Sequence, residues 1–301
     1  MKQNSHYEVI IIGGSYAGLS AAMALGRASR KVLVIDGGTP CNRQTPHSHN
    51  FITQDGRKPA EIAHDAKMQV LKYDTVSFHE GLAATGKKVK NGFELETKSG
   101  NKFTAKKLIF ASGLKDIMPD IKGFAECWGI SVIHCPYCHG YEVKNEKTAI
   151  LANGDVAFHY AQLIFNWTKK LSVFTNGKST LTEEQTAQIV KNRIEIIETP
   201  VDYIHHSEGY VREVVFKDGS AISVNAIYSR PDFIQQTDIP EKLGCKLTDS
   251  GLLEVDAMQK TSVDGVFACG DNSGMRAVSH AVASGTTAGA SLNNILITEE
   301  F

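Results

Sequence analysis

The chain has 301 residues, 32 Lys and Arg against 33 Asp and Glu, and 42% hydrophobic residues. This length fits about two domains with ordinary apolar cores, and a near-zero charge without a basic run excludes an electrostatic nucleic-acid binder. No apolar run approaches the roughly twenty residues of a membrane span. Nothing between Met1 and Gly13 resembles a signal peptide, so the expected setting is the cytoplasm, where cysteines outside a catalytic pair stay reduced.

Tyr7 to Ile12 reads as a buried β-branched strand, followed by Gly13-Gly14-Ser15-Tyr16-Ala17-Gly18 and an Ala/Leu-rich helix to about Gly26. Strand, glycine turn and helix bring a pyrophosphate onto helix N–H groups at the positive end of the dipole. A second strand, Lys31 to Ile35, ends in Asp36, about twenty residues after the glycines, where a carboxylate accepts from ribose hydroxyls. Ser15 stands where the usual pattern has its second glycine. From Gly38 to Gln54 the chain is irregular and polar, carrying Cys41, Arg43, His47, His49 and Asn50; such a loop lines a cofactor ring or is simply solvated. Residues 57–72 read as a helix with Ile62, Ala66 and Val70 on one stripe. Val76 to Phe110 reads as a small antiparallel sheet with turns at Asn91-Gly92 and Ser99-Gly100, closing on Leu108 to Ala111 and then Ser112-Gly113.

The chemistry is expected at Cys135-Pro136-Tyr137-Cys138-His139-Gly140-Tyr141-Glu142. Two thiols separated by two residues can close and reopen a disulfide ring, and a helix starting here would favour the attacking thiolate. The same residues fit a c-type haem tether, which needs export. They also fit half of a zinc site, but Cys41, Cys127, Cys245 and Cys269 form no second Cys-x-x-Cys. Two inert core thiols are the plainest alternative; Pro136 and the polar His139-Gly140 favour a partly exposed turn instead.

A second dinucleotide-type unit starts at Thr148: strand to Leu151, turn at Ala152 to Ala157, helix Phe158 to Lys170, strand Leu171 to Phe174. Ala152 replaces its first glycine, and Thr175-Asn176-Gly177 ends its second strand with neither a carboxylate for a ribose nor an arginine pair for a 2′-phosphate. Thr182-Glu183-Glu184-Gln185 reads as a capping box and Val211 to Val224 as a hairpin around Asp218-Gly219. His205 and His206 point to opposite faces of a strand and read as surface residues. After Pro231, the strand Val266 to Cys269 leads to Gly270-Asp271 and a small-residue helix from about Ala277. A carboxylate facing a helix N-terminus can hold polyol hydroxyls while the dipole acts on a ring carbonyl.

The leading glycine turn, the central Cys135-Pro136-Tyr137-Cys138 and the closing Gly270-Asp271 with Arg276-Ala277-Val278 together resemble the low-molecular-weight thioredoxin reductases over essentially the whole chain. The resemblance implies an α/β fold of two Rossmann-like (FAD/NAD(P)-binding type) domains, the second inserted into the first, with small antiparallel β-meanders. Residues 1–115 and 232–301 would form the FAD domain and 116–231 the inserted pyridine-nucleotide-type domain, in a homodimer whose inserted domain swings near Lys115 to Pro119 and Pro231. Gly13, Gly14, Ser15, Ala17, Gly18 and Asp36 would hold the ADP part of FAD, Asp271 its ribityl chain, and Arg276, Ala277 and Val278 the ring edge. Asn50 would lie near the flavin, and Ser112 and Gly113 match the family's Thr-Gly. Cys138 would face the flavin and Cys135 the substrate.

Two departures from the reductases matter. His139 replaces the Asp that follows the second cysteine, with Glu142 nearby, and the NADPH motifs are degraded. In both respects the chain looks more like the dithiol oxidases of the gliotoxin and holomycin type, and like relatives that take electrons from ferredoxin. The expected function is an FAD-dependent dithiol/disulfide oxidoreductase with weak or no use of NADP(H). Its substrate would be a thioredoxin-like protein or a small-molecule dithiol or disulfide, and ferredoxin or oxygen its redox partner. His139 would move the thiol proton, with His47 and His49 as further acid–base candidates. An NADPH-dependent thioredoxin reductase, or a flavin redox sensor or electron carrier, would carry many of the same features. No metal, membrane or nucleic acid is expected.

Overall fold

The computed structural model describes residues 5–301, which divide into two compact units. One consists of the residues up to Arg43, Pro59–Lys115 and Phe233–Phe301; the other of Gln44–Lys58 and Asp116–Asp232. Residues 44–58, placed by the sequence reading with the first segment, cluster with the second unit.

The chain opens with β1 (Ser5–Ile12), α1 (Tyr16–Arg27) and β2 (Val32–Asp36). Val9, Ile10 and Ile11 have no exposed surface, as expected of a parallel strand covered on both faces. α2 (Pro59–Val70) then leads to β3 (Val76–Glu80), which pairs in parallel with β2 from Val32 opposite Val76 to Asp36 opposite Glu80. This corrects the expectation that Val76 to Phe110 is one antiparallel sheet. A strand–helix–strand crossover leaves the chain running in its original direction, so β3 extends the parallel sheet. The antiparallel part is β4 (Ala83–Val89), β5 (Gly92–Thr97) and β6 (Lys102–Phe110). Phe93, Leu95 and Thr97 share its buried face. β6 also runs parallel to β1, so Ile12, Ile35 and Phe110 end level at the carboxyl edge of the sheet. β7 (Leu114–Asp116) follows.

The second unit continues with α3 (Phe124–Cys127), β8 (Val132–Ile133), α4 (Pro136–His139), β9 (Thr148–Leu151), α5 (Gly154–Ile164), β10 (Leu171–Phe174), α6 (Glu183–Lys191) and β11 (Glu195–Ile197). The antiparallel trio β12 (Val201–Ser207), β13 (Tyr210–Phe216) and β14 (Ala221–Ser223) precedes β15 (Ala226–Ser229). Strands β11-β10-β9-β15-β8 form a parallel sheet in that order. One core joins it to α5 and α6 through Ile150, Ala157, Ile164 and Ile189. Another joins it to the trio through Leu151, Ile204, Val214 and Phe216. α5 begins at Gly154 rather than Phe158 because Asn153 supplies the cap. It ends at Ile164, well short of Lys170. The capping box predicted at Thr182 and Gln185 is formed.

The returning segment adds β16 (Phe233–Gln235), paired with β7, then α7 (Ile239–Lys242), β17 (Val266–Ala268) and α8 (Val278–Glu300). β17 pairs in parallel with β6 and completes a seven-stranded sheet. α8 packs closely on α1: a Cβ on Gly285 or Gly289 would run into the Ala17 or Ala21 carbonyl oxygen. Glycine at those positions lets the two backbones meet without intervening side chains. The architecture is α/β, with two Rossmann-like parallel sheets and attached antiparallel meanders. Among the described residues no helix is long and apolar enough to cross a membrane.

Candidate active site

In the first unit, the carboxyl edge of the sheet gathers most of the sequence-predicted cofactor residues. Gly13 leaves β1 with φ +106°, its N–H donating to Ile35 O at 2.8 Å. A side chain there would strike the Ala111 carbonyl, so the turn passes directly over the end of β6. Gly14 N–H donates to Asp36 Oδ1 at 3.2 Å. Ser15 is the N-cap of α1 but its side chain makes no capping bond. The opening N–H groups of α1 are therefore not satisfied by their own cap. Ala17 and Gly18 are buried in the helix, and a Cβ added at Gly270 would come within 2.9 Å of the Ala17 Cβ.

Three further observations fit a dinucleotide such as FAD at this edge. The buried Ser112 hydroxyl has no hydrogen-bond partner among the described residues. Next to it, Gly113 (φ +69°) has nothing within 4 Å of where a Cβ would stand. α8 begins after Ala277, whose side chain also provides no cap, leaving N–H groups at Val278 and beyond for an acceptor. Asp271 is half-buried, with the Cys41 thiol 3.7 Å from its Oδ2, and Arg276 is half-buried between Asp271 and α8 in sequence. Uncapped helix starts, an orphaned hydroxyl and vacant space beside a glycine are what a phosphate- and hydroxyl-rich ligand would fill.

The second unit carries the dithiol. Cys135 and Cys138 are joined in a disulfide with Cα atoms 5.3 Å apart, both partly exposed. Pro136 opens the single turn α4 with a pre-set φ and no N–H to waste. Cys135 is its N-cap, and its Sγ accepts from the Cys138 N–H at 3.2 Å. One turn has little dipole, so this direct N–H···S contact is what would hold charge on the Cys135 sulfur. Tyr137 and Tyr141 are 63% and 68% exposed, and Tyr137 stands edge-on to Trp167 with centroids 5.5 Å apart. Trp167, which the sequence pattern does not single out, thus joins an aromatic surface beside the disulfide. The other cysteines are unbridged. Burial pushes Cys127 up to about 11 and Cys269 up to about 12, which keeps both protonated and unreactive.

His139, next to Cys138 in the chain, is linked to further titratable side chains. Burial lowers the His139 pKa below its ordinary value; Glu142 opposes that shift and His49 adds to it. His49 stands 3.5 Å from Glu142 (Nε2 to Oε1) and 3.5 Å from Asp55 (Nδ1 to Oδ2). Its neighbour Asn50, at φ +58°, donates its N–H to Asp55 Oδ1 at 2.8 Å. Asn50 therefore clusters with this unit. The Tyr228 hydroxyl is buried with no partner among the described residues, and its pKa is raised by burial, then by Glu142 and Tyr160. No group of His, Cys, Asp and Glu among the described residues is placed to hold a metal. His205 pairs with Glu213 at 3.2 Å on the exposed trio.

The His139 shift predicts a pH dependence. A lowered folded-state value means that the folded protein binds fewer protons than the unfolded chain just below the ordinary histidine range. Its contribution to stability is therefore complete above about pH 6.5 and is lost as pH falls through the folded value. Thermal melts from about pH 7 to 5 should show a shallower decline for His139→Gln than for the unmodified protein. Parallel declines would mean that the imidazole is not held neutral by its surroundings.

At the second sheet edge, the polar groups that a pyridine dinucleotide would need are bonded within the chain itself. Asn153 Oδ1 accepts from Gly154 N–H (2.8 Å), Thr180 N–H (2.8 Å) and the Thr180 hydroxyl (3.1 Å), while its Nδ2 donates to Lys178 O at 2.9 Å. Asp155, in the first turn of α5, accepts from Gln185 Nε2 at 2.7 Å. The Thr175 hydroxyl donates to Gly177 O at 2.7 Å, and Asn176 Oδ1 accepts from Val201 N–H at 2.8 Å. A pyrophosphate here would meet a capped helix start and a carboxylate instead of free N–H donors. The residues present do not fit NADPH or NADH.

The family model described as pyridine nucleotide-disulphide oxidoreductase matches residues 7–285. The thioredoxin reductase tcpT of Claviceps purpurea is 32% identical over 304 residues, covering 96% of this chain and 94% of its own. Among solved structures, a putative thioredoxin reductase TrxB from Bacillus anthracis superposes with a TM-score of 0.93 at 30% identity, covering 98% of this chain and all of its own. An oxidoreductase from Agrobacterium tumefaciens gives 0.91 at 37% identity, covering 97% and 99%. The match spans both sheets and the segment that carries the disulfide, and on that ground this chain belongs to the pyridine nucleotide-disulphide oxidoreductase family, among its thioredoxin reductase-like members.

Proposed function

We propose that this protein is an FAD-dependent dithiol/disulfide oxidoreductase of the dithiol-oxidase kind, in which Cys135 exchanges with a small-molecule dithiol or a thioredoxin-like protein without electrons from NADPH. The observation that carries this reading is the Cys135–Cys138 disulfide in a unit whose own nucleotide edge is bonded up by Asn153, Thr180 and Gln185. Bound FAD would supply the two-electron acceptor. Gly13, Gly14, Ser15, Gly18, Asp36, Ser112, Gly113, Asp271 and the start of α8 would hold it. The reading includes a homodimer acting in the cytoplasm.

The chain's own residues divide the remaining work. Substrate thiolate attacks the disulfide and forms a mixed disulfide with Cys135, releasing Cys138; the second substrate thiol then displaces Cys135, so the substrate leaves as a disulfide and the pair as two thiols. The Cys138 N–H supports the charge that passes through the Cys135 sulfur. A neutral His139 takes the proton from the attacking thiol, and Glu142 stabilises the imidazolium that results. Tyr137, Tyr141 and Trp167 offer apolar surface to a ring-bearing substrate.

An anaerobic titration of the yellow holoprotein tests this reading. The visible flavin band should bleach with a dithiol and persist with NADPH or NADH. Recovery on admission of air would make oxygen the acceptor, and absence of recovery would make it a protein such as a ferredoxin. Rapid bleaching by NADPH would overturn the reading in favour of a pyridine-nucleotide-dependent reductase.

A further inference from the structure

The loop Gln44–Lys58 is tied to the rest of the second unit and to itself by hydrogen bonds. Gln44 Nε2 donates to Ala125 O at 3.2 Å and to Trp128 O at 3.3 Å. Ser48 and Gly56 close the loop on itself, Ser48 N–H to Arg57 O and Gly56 N–H to Ser48 O, each at 2.8 Å. His47 Nδ1 lies 2.9 Å from Gly56 O. Asn50 and Thr53 adopt positive φ to make the turn, a cost that side chains other than glycine accept when the surroundings fix them. The product of this construction is one presented side chain, His49, 20% exposed, with each ring nitrogen 3.5 Å from a different carboxylate.

Glu142 on the inner side of His49 belongs to the dithiol segment and acts electrostatically on His139, while Asp55 on the outer side is 66% exposed. The groups facing the His49 ring are Asp55 and His47 from its own loop and Glu142 and His139 from the dithiol segment. His49 touches both carboxylates, and Glu142 reaches His139 electrostatically, so that carboxylate and imidazole alternate in the row His139, Glu142, His49, Asp55. Resting on the function proposed above, we infer that His49 is a positioning residue for the dithiol chemistry: it holds the Glu142 carboxylate towards His139 and links it to the surface through Asp55.

The row meets a need of the reaction. Re-forming the Cys135–Cys138 bond from two thiols removes two electrons and two protons; the electron pair goes to the bound flavin. Protons that do not accompany it must leave a partly buried site. His139 takes such a proton from sulfur, Glu142 accepts it next, and His49 passes it to Asp55 and water. For disulfide reduction the order reverses.

The test uses holoprotein and a small dithiol, dithiothreitol, in rapid-mixing reduction experiments across pH. His49→Gln should keep the flavin spectrum and melting behaviour, slow reduction roughly tenfold, less than the about hundredfold expected from loss of a direct proton-transfer group, and move the acid limb of the pH–rate profile to higher pH. Glu142→Gln should move that limb to lower pH, because the carboxylate favours the protonated His139, and adding His49→Gln to it should change nothing further, because the two act as one unit. Asp55→Asn should displace the limb in the same direction as His49→Gln, by less. Multiplying effects of His49→Gln and Glu142→Gln, or an unmoved limb, would overturn the inference. Should His49→Gln lose its flavin or its fold, the exposed Asp55→Asn decides alone: a displaced limb supports the row and an unmoved one overturns it. His205→Gln, on the exposed trio, is the control that should match the unmodified protein. Failure of any dithiol to bleach the unmodified holoprotein would instead defeat the proposed function itself.

Discussion

Replacing Cys138 by serine is expected to abolish dithiol turnover while leaving the protein yellow. The cofactor residues assigned above lie in the first unit, whereas Cys138 sits on a short turn of the second. The serine keeps the backbone N–H that supports the Cys135 sulfur, and loss of a bridge closing so small a ring costs at most about 2 kcal/mol by chain entropy. What it removes is the sulfur with which Cys135 forms the disulfide that a substrate thiolate attacks, and without that bond the pair has no oxidised form to be reduced. Turnover should fall by at least ~1,000-fold, the scale seen when a covalent catalytic group is deleted. A monothiol–disulfide reagent should then stay attached to Cys135 as a mixed disulfide, visible as added mass that dithiothreitol removes. Cys135→Ser should be equally inactive but should trap far less adduct, since Cys138 would not be the sulfur that meets substrate. A fully active Cys138→Ser variant would sink the scheme, and equal trapping by both variants would reverse the two cysteine roles.

What the sequence made legible follows from the range over which its signals act. The runs Val9 to Ile12, Val32 to Ile35 and Val266 to Ala268 are β-branched or apolar throughout because their strands are covered on both sides, and the glycine turn after Ile12 is fixed by local sterics. Both are readable within a few residues. Val76 to Glu80 differs from its antiparallel reading for a physical reason: as the outermost strand of its sheet it buries only Val76 and leaves Ser77 and Glu80 exposed, like a strand of a meander. Local pattern reports exposure, and it does not report which strand lies alongside. The shift of α5 to Gly154 was missed because Ala152 and Asn153 were read as a failed glycine turn. Asn153 is a favourable cap in its own right, and its bonds to Thr180 and Lys178 come from a distant loop.

The dithiol was legible as a motif, and its surroundings were only partly so. His139 and Glu142 lie within one or two turns of Cys138, so their proximity could be argued from spacing. His49 and Asp55 come from a loop with no periodicity, and nothing in that loop's sequence says that it clusters with residues beyond Asp116. Trp167 reaches Tyr137 by the same kind of long-range packing. Degenerate letters at Ala152 and Thr175 suggested a lost nucleotide site; the stronger statement, that its polar groups are bonded within the chain itself, needed coordinates.

Gly18→Ala is expected to cost the protein its flavin. Gly18 has an ordinary helical backbone, so its requirement is one of space: a Cβ would press into the Gly13 carbonyl oxygen and against the Ile11 side chain. Neither neighbour can retreat, because Gly13 is held by its bond to Ile35 and by the Ala111 carbonyl beneath it, and Ile11 is wholly buried. Overpacking at such a point costs about 1–3 kcal/mol or more, and the displacement falls on the turn that would carry the pyrophosphate. The variant should purify with little or no bound flavin and melt several degrees lower, while retaining α/β circular dichroism. Gly154→Ala provides the comparison from the second unit. There a Cβ would meet the Thr180 hydroxyl, the end of a side chain that can rotate away, and the residue's φ of +55° adds a cost of order 1–3 kcal/mol. Its flavin content should be unchanged. If Gly18→Ala instead bound FAD at the normal ratio and Gly154→Ala lost it, the cofactor would belong to the second sheet, and the division of labour proposed between the two units would be reversed.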